Sequence, residues 1–212
     1  MNGALRLAFF ALVVRPLVYL VLGVNVRHRE RLPATGPAIL VANHNSHLDA
    51  LALMSLFPLR MLGRLRPVAA ADYFLKNRVL AWFALRILGI LPLERRVRGR
   101  TDVLAGVCDA LDAGAIVILF PEGSRGEPEC LAEFKTGVAH LAKRRPDVPV
   151  TPVFLHGLGK SLPKGEALLV PFPCDVCVGE PVPWQDDKAG FMAELGTRMQ
   201  ALCEDAHCPA WD

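Results

Sequence analysis

The 212-residue chain is long enough for one domain, or for one domain with a membrane-facing appendage, and too short for several domains. Hydrophobic residues make up 52% of it, and the mean hydropathy of +0.32 is high for a freely soluble protein. The net charge is +3, but residues 1–100 carry +11 and residues 101–212 carry −8. Aromatic residues are few, and the basic residues alternate with aliphatic ones, which favours an anionic membrane surface over nucleic acid.

The chain begins with an apolar segment, residues 1–31. It fits a signal peptide poorly, because its basic start is weak and Arg15 and Pro16 interrupt the apolar run. It also fits a membrane span poorly, because Arg15 lies near the middle of the ~20 apolar residues that a span requires. We therefore predict a helix, a break at Pro16 and a second helix, lying in the membrane interface. A buried core helix is the competing interpretation.

The next segment, after the turn at residues 32–36, joins an apolar run to a polar motif. Pro37 to Ala42 predicts a short buried strand, and Ala50 to Phe57 predicts a helix. His44 lies in the turn between them, and Asp49 lies at the start of the helix, where the helix dipole favours a carboxylate. This five-residue spacing lets the carboxylate hold one imidazole nitrogen and leave the other to accept a proton.

Two other interpretations of this motif remain open. Ser46 and Asp49 have the spacing of a capping box, in which each side chain bonds to the backbone of the other residue. His44, His47 and Asp49 could also ligate a metal ion, although no cluster of carboxylates or histidines downstream would complete the site.

Beyond this motif the chain alternates short strands and helices, which predicts an α/β sheet covered by helices. The strands are predicted near residues 67–71, 92–94, 116–120, 150–155 and 168–178. The helices are predicted at residues 74–88, 101–113, 130–145 and 186–205, with Gly89 and Gly114 ending the first two.

A second polar motif follows the strand at residues 116–120. It reads Phe-Pro-Glu-Gly-Ser-Arg and ends at Arg125. Together with Asn-His-x4-Asp it resembles the glycerolipid acyltransferase family, whose members include 1-acylglycerol-3-phosphate acyltransferases. Three further blocks fit the family's order: Gly89-Ile-Leu-Pro-Leu-Glu-Arg95, Phe134-Lys-Thr-Gly137 and Val148-Pro-Val-Thr-Pro-Val153. The resemblance covers roughly residues 35 to 180.

The resemblance implies a fold and a set of roles. The fold would be a mixed central sheet like that of glycerol-3-phosphate acyltransferases, with residues 32–212 as the acyltransferase domain. His44 would be the general base and Asp49 its orienting partner, with no covalent intermediate. Backbone N–H groups at the start of the helix after Asn43 could stabilise the oxyanion. The acceptor would be bound by Arg95, Glu122, Gly123, Ser124, Arg125 and Lys135.

Within this set, Arg95 and Arg125 match positions that bind the acceptor's phosphate, for which the guanidinium geometry is suited, and Lys135 would add positive charge. Arg96 could replace Arg95 if the strand register differs by one residue. Glu122 and Gly123 would shape the turn that receives the glycerol, or Glu122 could be the structural counter-ion of the arginines. Ser124 replaces a common Thr of the family, and Thr136 a common Lys.

The resemblance also implies the partners and the place of action. The donor would be acyl-CoA or acyl-carrier protein as co-substrate, and no cofactor or metal would be needed. The acceptor would be a lysophospholipid, 1-acylglycerol-3-phosphate in the first place. Two alternatives stay open: an aminolipid or larger-headgroup lysophospholipid as acceptor, and a non-catalytic lipid-binding protein of the same fold. The enzyme would sit on the cytoplasmic face of a membrane, peripheral or monotopic. Cys174 and Cys177 have a zinc or redox spacing, but no second Cys-x-x-Cys pair exists, and reduced thiols are expected for all six cysteines.

Overall fold

The central sheet contains seven strands among the residues that the structure, a computed structural model, describes: residues 2–94, 102–126, 130–162 and 168–206. The strands are β1 (Asn25–Arg27), β2 (Ala38–Ala42), β3 (Leu65–Ala70), β4 (Leu91–Leu93), β5 (Ile116–Leu119), β6 (Val150–His156) and β7 (Asp175–Val178). Their order across the sheet is β1-β7-β6-β2-β5-β3-β4.

Strands β2 to β6 run parallel, β7 pairs antiparallel with β6, and β1 pairs parallel with β7. The sheet is therefore mixed, and the predicted fold class is confirmed. All five residues of β2 are buried, as expected for the central strand of a sheet covered on both faces.

Helices cover both faces of the sheet. They are α1 (Asn2–Phe9), α2 (Asp49–Ser55), α3 (Ala71–Phe74), α4 (Arg78–Phe83), α5 (Ala105–Asp112), α6 (Gly137–Arg144), α7 (Leu158–Ser161) and α8 (Lys188–Ala206). One buried cluster joins the N-terminal helix and α2 to the sheet, and a second joins α5, α6 and α8 to its other face. Alternate residues of β2 belong to the two clusters, because successive side chains of a strand point to opposite faces.

The N-terminal segment is helical throughout residues 2–21. After α1 it continues through two π-helical stretches, Phe10–Val14 and Leu17–Val21. The predicted break at Pro16 is wrong, because the backbone of both Arg15 and Pro16 keeps a helical conformation. The π-type hydrogen bonding on either side accommodates the proline, which cannot donate to an α-helical carbonyl.

The N-terminal helix (residues 2–21) has one buried and one exposed side. Leu12 is 75% exposed and Leu20 is 82% exposed. The stretch Gly3–Val21 is long and apolar enough to cross a membrane by length and composition, a test that a core helix or signal sequence also passes. The buried residues recur every four positions and continue just beyond the helix: Phe10, Val14, Val18 and Leu22.

Three predicted elements have different bounds in the structure. The helix predicted from residue 74 begins at Arg78, because the Asn77 side chain accepts the N–H groups of Val79 (2.8 Å) and Leu80 (3.3 Å) and caps it. The helix predicted from residue 130 begins only at Gly137, and the predicted strand from residue 168 is regular only in β7. The expected ends at Gly89 and Gly114 are confirmed, with φ of +72° and +77°.

Candidate active site

The candidate site lies at the carboxyl ends of the central parallel strands. The turn after β2 carries His44, and the turn after β5 carries Glu122. These strands are neighbours and run in the same direction, so the two turns meet at one edge of the sheet. In open α/β sheets this edge forms the crevice where ligands bind.

The two residues predicted as catalytic are in direct contact. Nδ1 of His44 lies 2.8 Å from Oδ2 of Asp49. The carboxylate is fully buried, whereas the His44 side chain is 24% exposed. Because a carboxylate accepts a hydrogen bond, His44 carries its proton on Nδ1, which leaves Nε2 as the proton acceptor of the neutral ring.

Only half of the predicted capping box forms. Oδ2 of Asp49 accepts the backbone N–H groups of Asn45 and Ser46, both at 2.8 Å, but Oγ of Ser46 accepts the N–H of Leu48, at 3.2 Å, and not that of Asp49. One carboxylate oxygen thus holds the turn before helix α2 and orients the imidazole at the same time.

Three N–H groups between Asn43 and helix α2 are already engaged. Those of Asn45 and Ser46 donate to Asp49, and that of His44 donates to Oε1 of Glu122 at 3.3 Å. Oxyanion stabilisation by N–H groups of this region, predicted for the start of the helix, would therefore have to come from residues beyond Ser46.

Asn43 itself has a structural role that the sequence did not reveal. Its Nδ2 donates to the carbonyl of Leu155 (2.9 Å), and its Oδ1 accepts the N–H of Leu155 (2.7 Å). The fully buried amide thereby extends the pairing of β2 with β6 by one residue. No local signal could indicate this, because the partner lies 112 positions along the chain.

Phe120 supports the imidazole of His44 from the β5 side. The two rings are stacked, with centroids 4.3 Å apart and planes 25° apart. Phe120 directly precedes the Pro-Glu-Gly turn, so an aromatic residue at a strand end was the available signal in the sequence. The stacking adds a second constraint on the ring beside the hydrogen bond to Asp49.

Glu122 is buried and links the two turns. Its Oε1 bonds the backbone N–H of His44, and it also accepts the backbone N–H of Ala132. Burial is the main cause that raises the pKa of Glu122 to about 7. Within the described ranges no arginine forms an ion pair with it, so the counter-ion alternative does not apply there.

The remaining predicted binding residues surround the turn after β5. Gly123 has φ +73°, and a Cβ atom there would overlap the ammonium group of Lys135. The backbone N–H of Lys135 donates to the carbonyl of Pro121 at 2.9 Å, which brings the loop before α6 onto the turn. Ser124 is exposed and Arg125 half-buried. Arg95 lies outside the described residues, as does the alternative Arg96.

His47 was not predicted to bind substrate, yet it lies among these groups. Burial and the neighbouring charge of Arg125 lower the pKa of His47, and its ring lies 6.3 Å from that of Tyr73. The charge of Arg125 therefore reaches the motif that carries His44, and the two motifs form one site.

The metal interpretations receive no support from the described residues, where no three His, Cys, Asp or Glu side chains are grouped to hold an ion. Cys174 and Cys177 belong to the buried clusters on opposite faces of the sheet, so they do not form one ligand pair. Cys108, Cys130, Cys174, Cys177 and Cys203 form no disulfide with one another, and Cys208 lies outside the described residues.

Comparison with known proteins identifies the family. Residues 23–156 match the family model for acyltransferases, which is more than half of the chain. The chain therefore belongs to this acyltransferase family.

Among its relatives are three 1-acyl-sn-glycerol-3-phosphate acyltransferases. The chloroplastic enzymes of Brassica napus and Arabidopsis thaliana are each 30% identical over 86% of this chain, which covers 48% and 47% of their lengths. The human alpha enzyme is 30% identical over 84% of this chain and 61% of its own length. The chain thus spans about half to three fifths of these relatives.

A solved structure shares the fold. The 1-acyl-sn-glycerophosphate acyltransferase PlsC of Thermotoga maritima superposes with a TM-score of 0.73 at 21% identity, covering 92% of this chain and 79% of that one. The glycerolipid acyltransferase resemblance of the sequence is thereby confirmed at the level of family and fold.

Proposed function

We propose that the protein transfers a fatty acyl chain from an acyl thioester to the free hydroxyl of a lysophospholipid, 1-acylglycerol-3-phosphate in the first place, and so forms phosphatidic acid. The contact of 2.8 Å between His44 and buried Asp49 carries this proposal. The names of the relatives support the choice of acceptor, because all three are 1-acyl-sn-glycerol-3-phosphate acyltransferases.

The reaction requires one base and no enzyme nucleophile. Nε2 of His44 accepts the proton of the acceptor hydroxyl while its oxygen attacks the thioester carbonyl carbon. The C–S bond then breaks, the thiolate leaves and takes up the proton, and the new C–O bond completes the ester. Asp49 stabilises the imidazolium that forms between these steps, through the hydrogen bond to Nδ1.

The acceptor's phosphate would be held by Arg125 and Lys135, with Arg95 as a third ligand by family resemblance. The side chain of Lys135 lies against Gly123, and Arg125 is only two residues further along the chain. The turn beside His44 therefore carries two cationic groups. Arg and Lys are the usual ligands of phosphate, Arg through a fork of parallel N–H donors. The buried side chain of Glu122 stabilises the turn of His44 through the hydrogen bond from its backbone N–H.

The place of action would be the surface of a membrane, at the cytoplasmic side where acyl-CoA or acyl-carrier protein is available. The exposed side of the N-terminal helix supports this proposal. So does α4, in which Val79 is 76% exposed and Trp82 is 47% exposed. Phe9 and Phe83 meet edge to face at 5.3 Å, which places the two apolar surfaces side by side. The assay described next compares the two possible donors, acyl-CoA and acyl-carrier protein.

The test is thiol release from palmitoyl-CoA, and from palmitoyl-acyl-carrier protein, with and without lysophosphatidic acid. We expect release that depends on the acceptor and is lost in His44→Ala with the fold intact. Release without acceptor would identify a thioesterase instead. Full activity of His44→Ala would reject the base, and Arg125→Gln should raise the acceptor KM while the donor KM stays unchanged.

A further inference from the structure

A second charged site lies at the opposite edge of the sheet from His44. Arg66 is paired in register with Val117 near the start of β5, whereas His44 follows the carboxyl end of β2. A cavity of about 420 Å³ opens there between the N-terminal helix, the 3₁₀ helix Leu59–Arg64 and the π-helical stretch Ala84–Leu88. Its volume is within the range of small-ligand sites.

Four arginines line this cavity: Arg6, Arg60, Arg66 and Arg86. The other lining residues are glycines and leucines, and no acidic side chain is among them. In the part of the chain that the structure describes, none of the four guanidinium groups forms an ion pair with a carboxylate. We call this set the arginine pocket.

Arg6 forms the base of the arginine pocket and is only 8% exposed. Its Nη2 donates to the carbonyls of Leu65 (3.1 Å) and Leu88 (3.0 Å), but its Nε has no partner among the described residues, and neither does Nε of Arg66. Burial and the charge of Arg66 lower the pKa of Arg6 to about 10. Buried charges in proteins are normally paired, and neither Arg6 nor Arg66 forms an ion pair with a carboxylate among the described residues, so the base of the pocket is suited to an anion.

Gly89 shows that the fold makes room for this arginine. Its φ is +72°, and a Cβ atom would lie 2.8 Å from Nη1 of Arg6. The guanidinium is thus fixed by two carbonyls and by the close approach of a glycine backbone, while Arg60 and Arg86 stand exposed at the opening. A fixed donor group at the base with cations at the opening is the arrangement that binds an oxyanion.

We propose that the arginine pocket binds a phosphate group, carried by an anionic lipid headgroup or free in solution. Leu7 (43% exposed) and Leu85 (39% exposed) line the same cavity, so the opening joins the exposed apolar surface of the two helices. A phospholipid would place its phosphate among the arginines and its chains along these leucines. The site does not depend on the proposed acyl transfer, because it lies at the other edge of the sheet.

The test compares two double variants of equal charge. The pocket variant, Arg60→Gln with Arg86→Gln, removes the two positive charges at the opening of the arginine pocket. The control variant, Arg64→Gln with Arg78→Gln, removes the charges of two exposed arginines that do not line the pocket. Each protein is cosedimented with phosphatidylcholine vesicles that contain or lack phosphatidylglycerol. Their Tm values without ligand show that both variants fold.

If the ligand is a lipid headgroup, the pocket variant should bind the phosphatidylglycerol vesicles about tenfold more weakly than the control variant, and the two should bind pure phosphatidylcholine equally. If the ligand is a free phosphate, inorganic phosphate should raise the Tm of the wild type and the control variant more than that of the pocket variant. Equal behaviour of the two variants toward both probes would overturn the proposal, because attraction between the anions and the net surface charge would then explain the binding without a pocket.

Discussion

At the residue scale, a single carboxylate oxygen binds both the proposed base and the backbone of the turn that carries it. Oδ2 of Asp49 accepts hydrogen bonds from the His44 imidazole and from the N–H groups of Asn45 and Ser46. The anion is buried, so these three donors replace the water that it loses on folding. An asparagine in place of Asp49 would offer one uncharged oxygen, and its NH₂ group would have no hydrogen-bond acceptor.

Asp49→Asn should therefore reduce kcat by at least about 100-fold and leave the acceptor KM nearly unchanged, because Asp49 acts through His44 and does not touch the acceptor. The same substitution should lower the free energy of unfolding by about 2–4 kcal/mol. Steady-state kinetics and urea unfolding measure the two effects. Asp72→Asn, at an exposed carboxylate, is the matched control and should change neither. A lower kcat only in proportion to lost folded protein would contradict the orienting role.

Glu122 makes stability depend on pH in an unusual direction. Its pKa is raised from 4.5 to about 7, so the folded chain binds this proton more tightly than the unfolded chain. The stabilisation is fully present below about pH 4.5 and is lost as pH rises through 7, a loss of about 3 kcal/mol.

The variant Glu122→Gln removes this titration. Between pH 4 and pH 8, the wild type should lose about 3 kcal/mol of unfolding free energy relative to the variant. Using the difference cancels the other titrating groups, which are common to both proteins. A difference that is constant over this pH range would show that Glu122 keeps an ordinary pKa.

At the element scale, the sheet explains how His44, the proposed base, is held in position. β2 lies between β5 and β6, and each neighbour supports the turn that carries His44. Glu122 and Phe120 come from the β5 side, and the Asn43 amide pairs with Leu155 of β6. The turn is thus held from both sides, which fixes a loop that would otherwise be mobile.

Asn43→Ala should lower the free energy of unfolding by about 2–4 kcal/mol, because it leaves a buried N–H and a buried C=O of Leu155 unsatisfied. Urea unfolding measures this loss. Activity per folded molecule should also fall, since the turn before His44 loses its link to β6. A change in stability below about 0.5 kcal/mol would mean that water replaces both hydrogen bonds.

The sequence predicted the elements whose signals are local. Continuous apolar runs identified β2, β5 and β6, and glycines marked the ends at positions 89 and 114. The helix α6 was predicted seven residues too early, because the segment before Gly137 is pulled across the turn by the bond between Lys135 and Pro121. The five-residue spacing likewise predicted the contact between His44 and Asp49. The roles of Asn43 and Phe120 could not be predicted, because they depend on strands that are distant in the chain.

The whole molecule has an apolar side and a polar site at different places on one domain. Exposed leucines of the N-terminal helix adjoin the exposed residues of α4, and polar side chains of the helix are tied to the core. Arg15 donates to the carbonyl of Phe57 (2.8 Å), and Tyr19 to that of Ser55 (3.1 Å). The exposed side can thus enter a membrane interface without separating the helix from the domain.

Leu12→Gln with Leu20→Gln should weaken binding to phosphatidylcholine vesicles by at least tenfold, because the two side chains are 75% and 82% exposed and would lose their burial in lipid. Vesicle flotation measures the binding, and the Tm in detergent should stay within about 2 °C of the wild type. Unchanged binding would mean that another surface meets the membrane.

The separation of strands along the chain has a consequence for biosynthesis. β2 emerges early, but it needs β5 and then β6, whose residue Leu155 is translated more than a hundred codons after Asn43. The helix of residues 2–21, by contrast, is complete as soon as it leaves the ribosome. If the exposed side of this helix binds a membrane as proposed, we expect the nascent chain to reach the bilayer before the strands that hold His44 are synthesised.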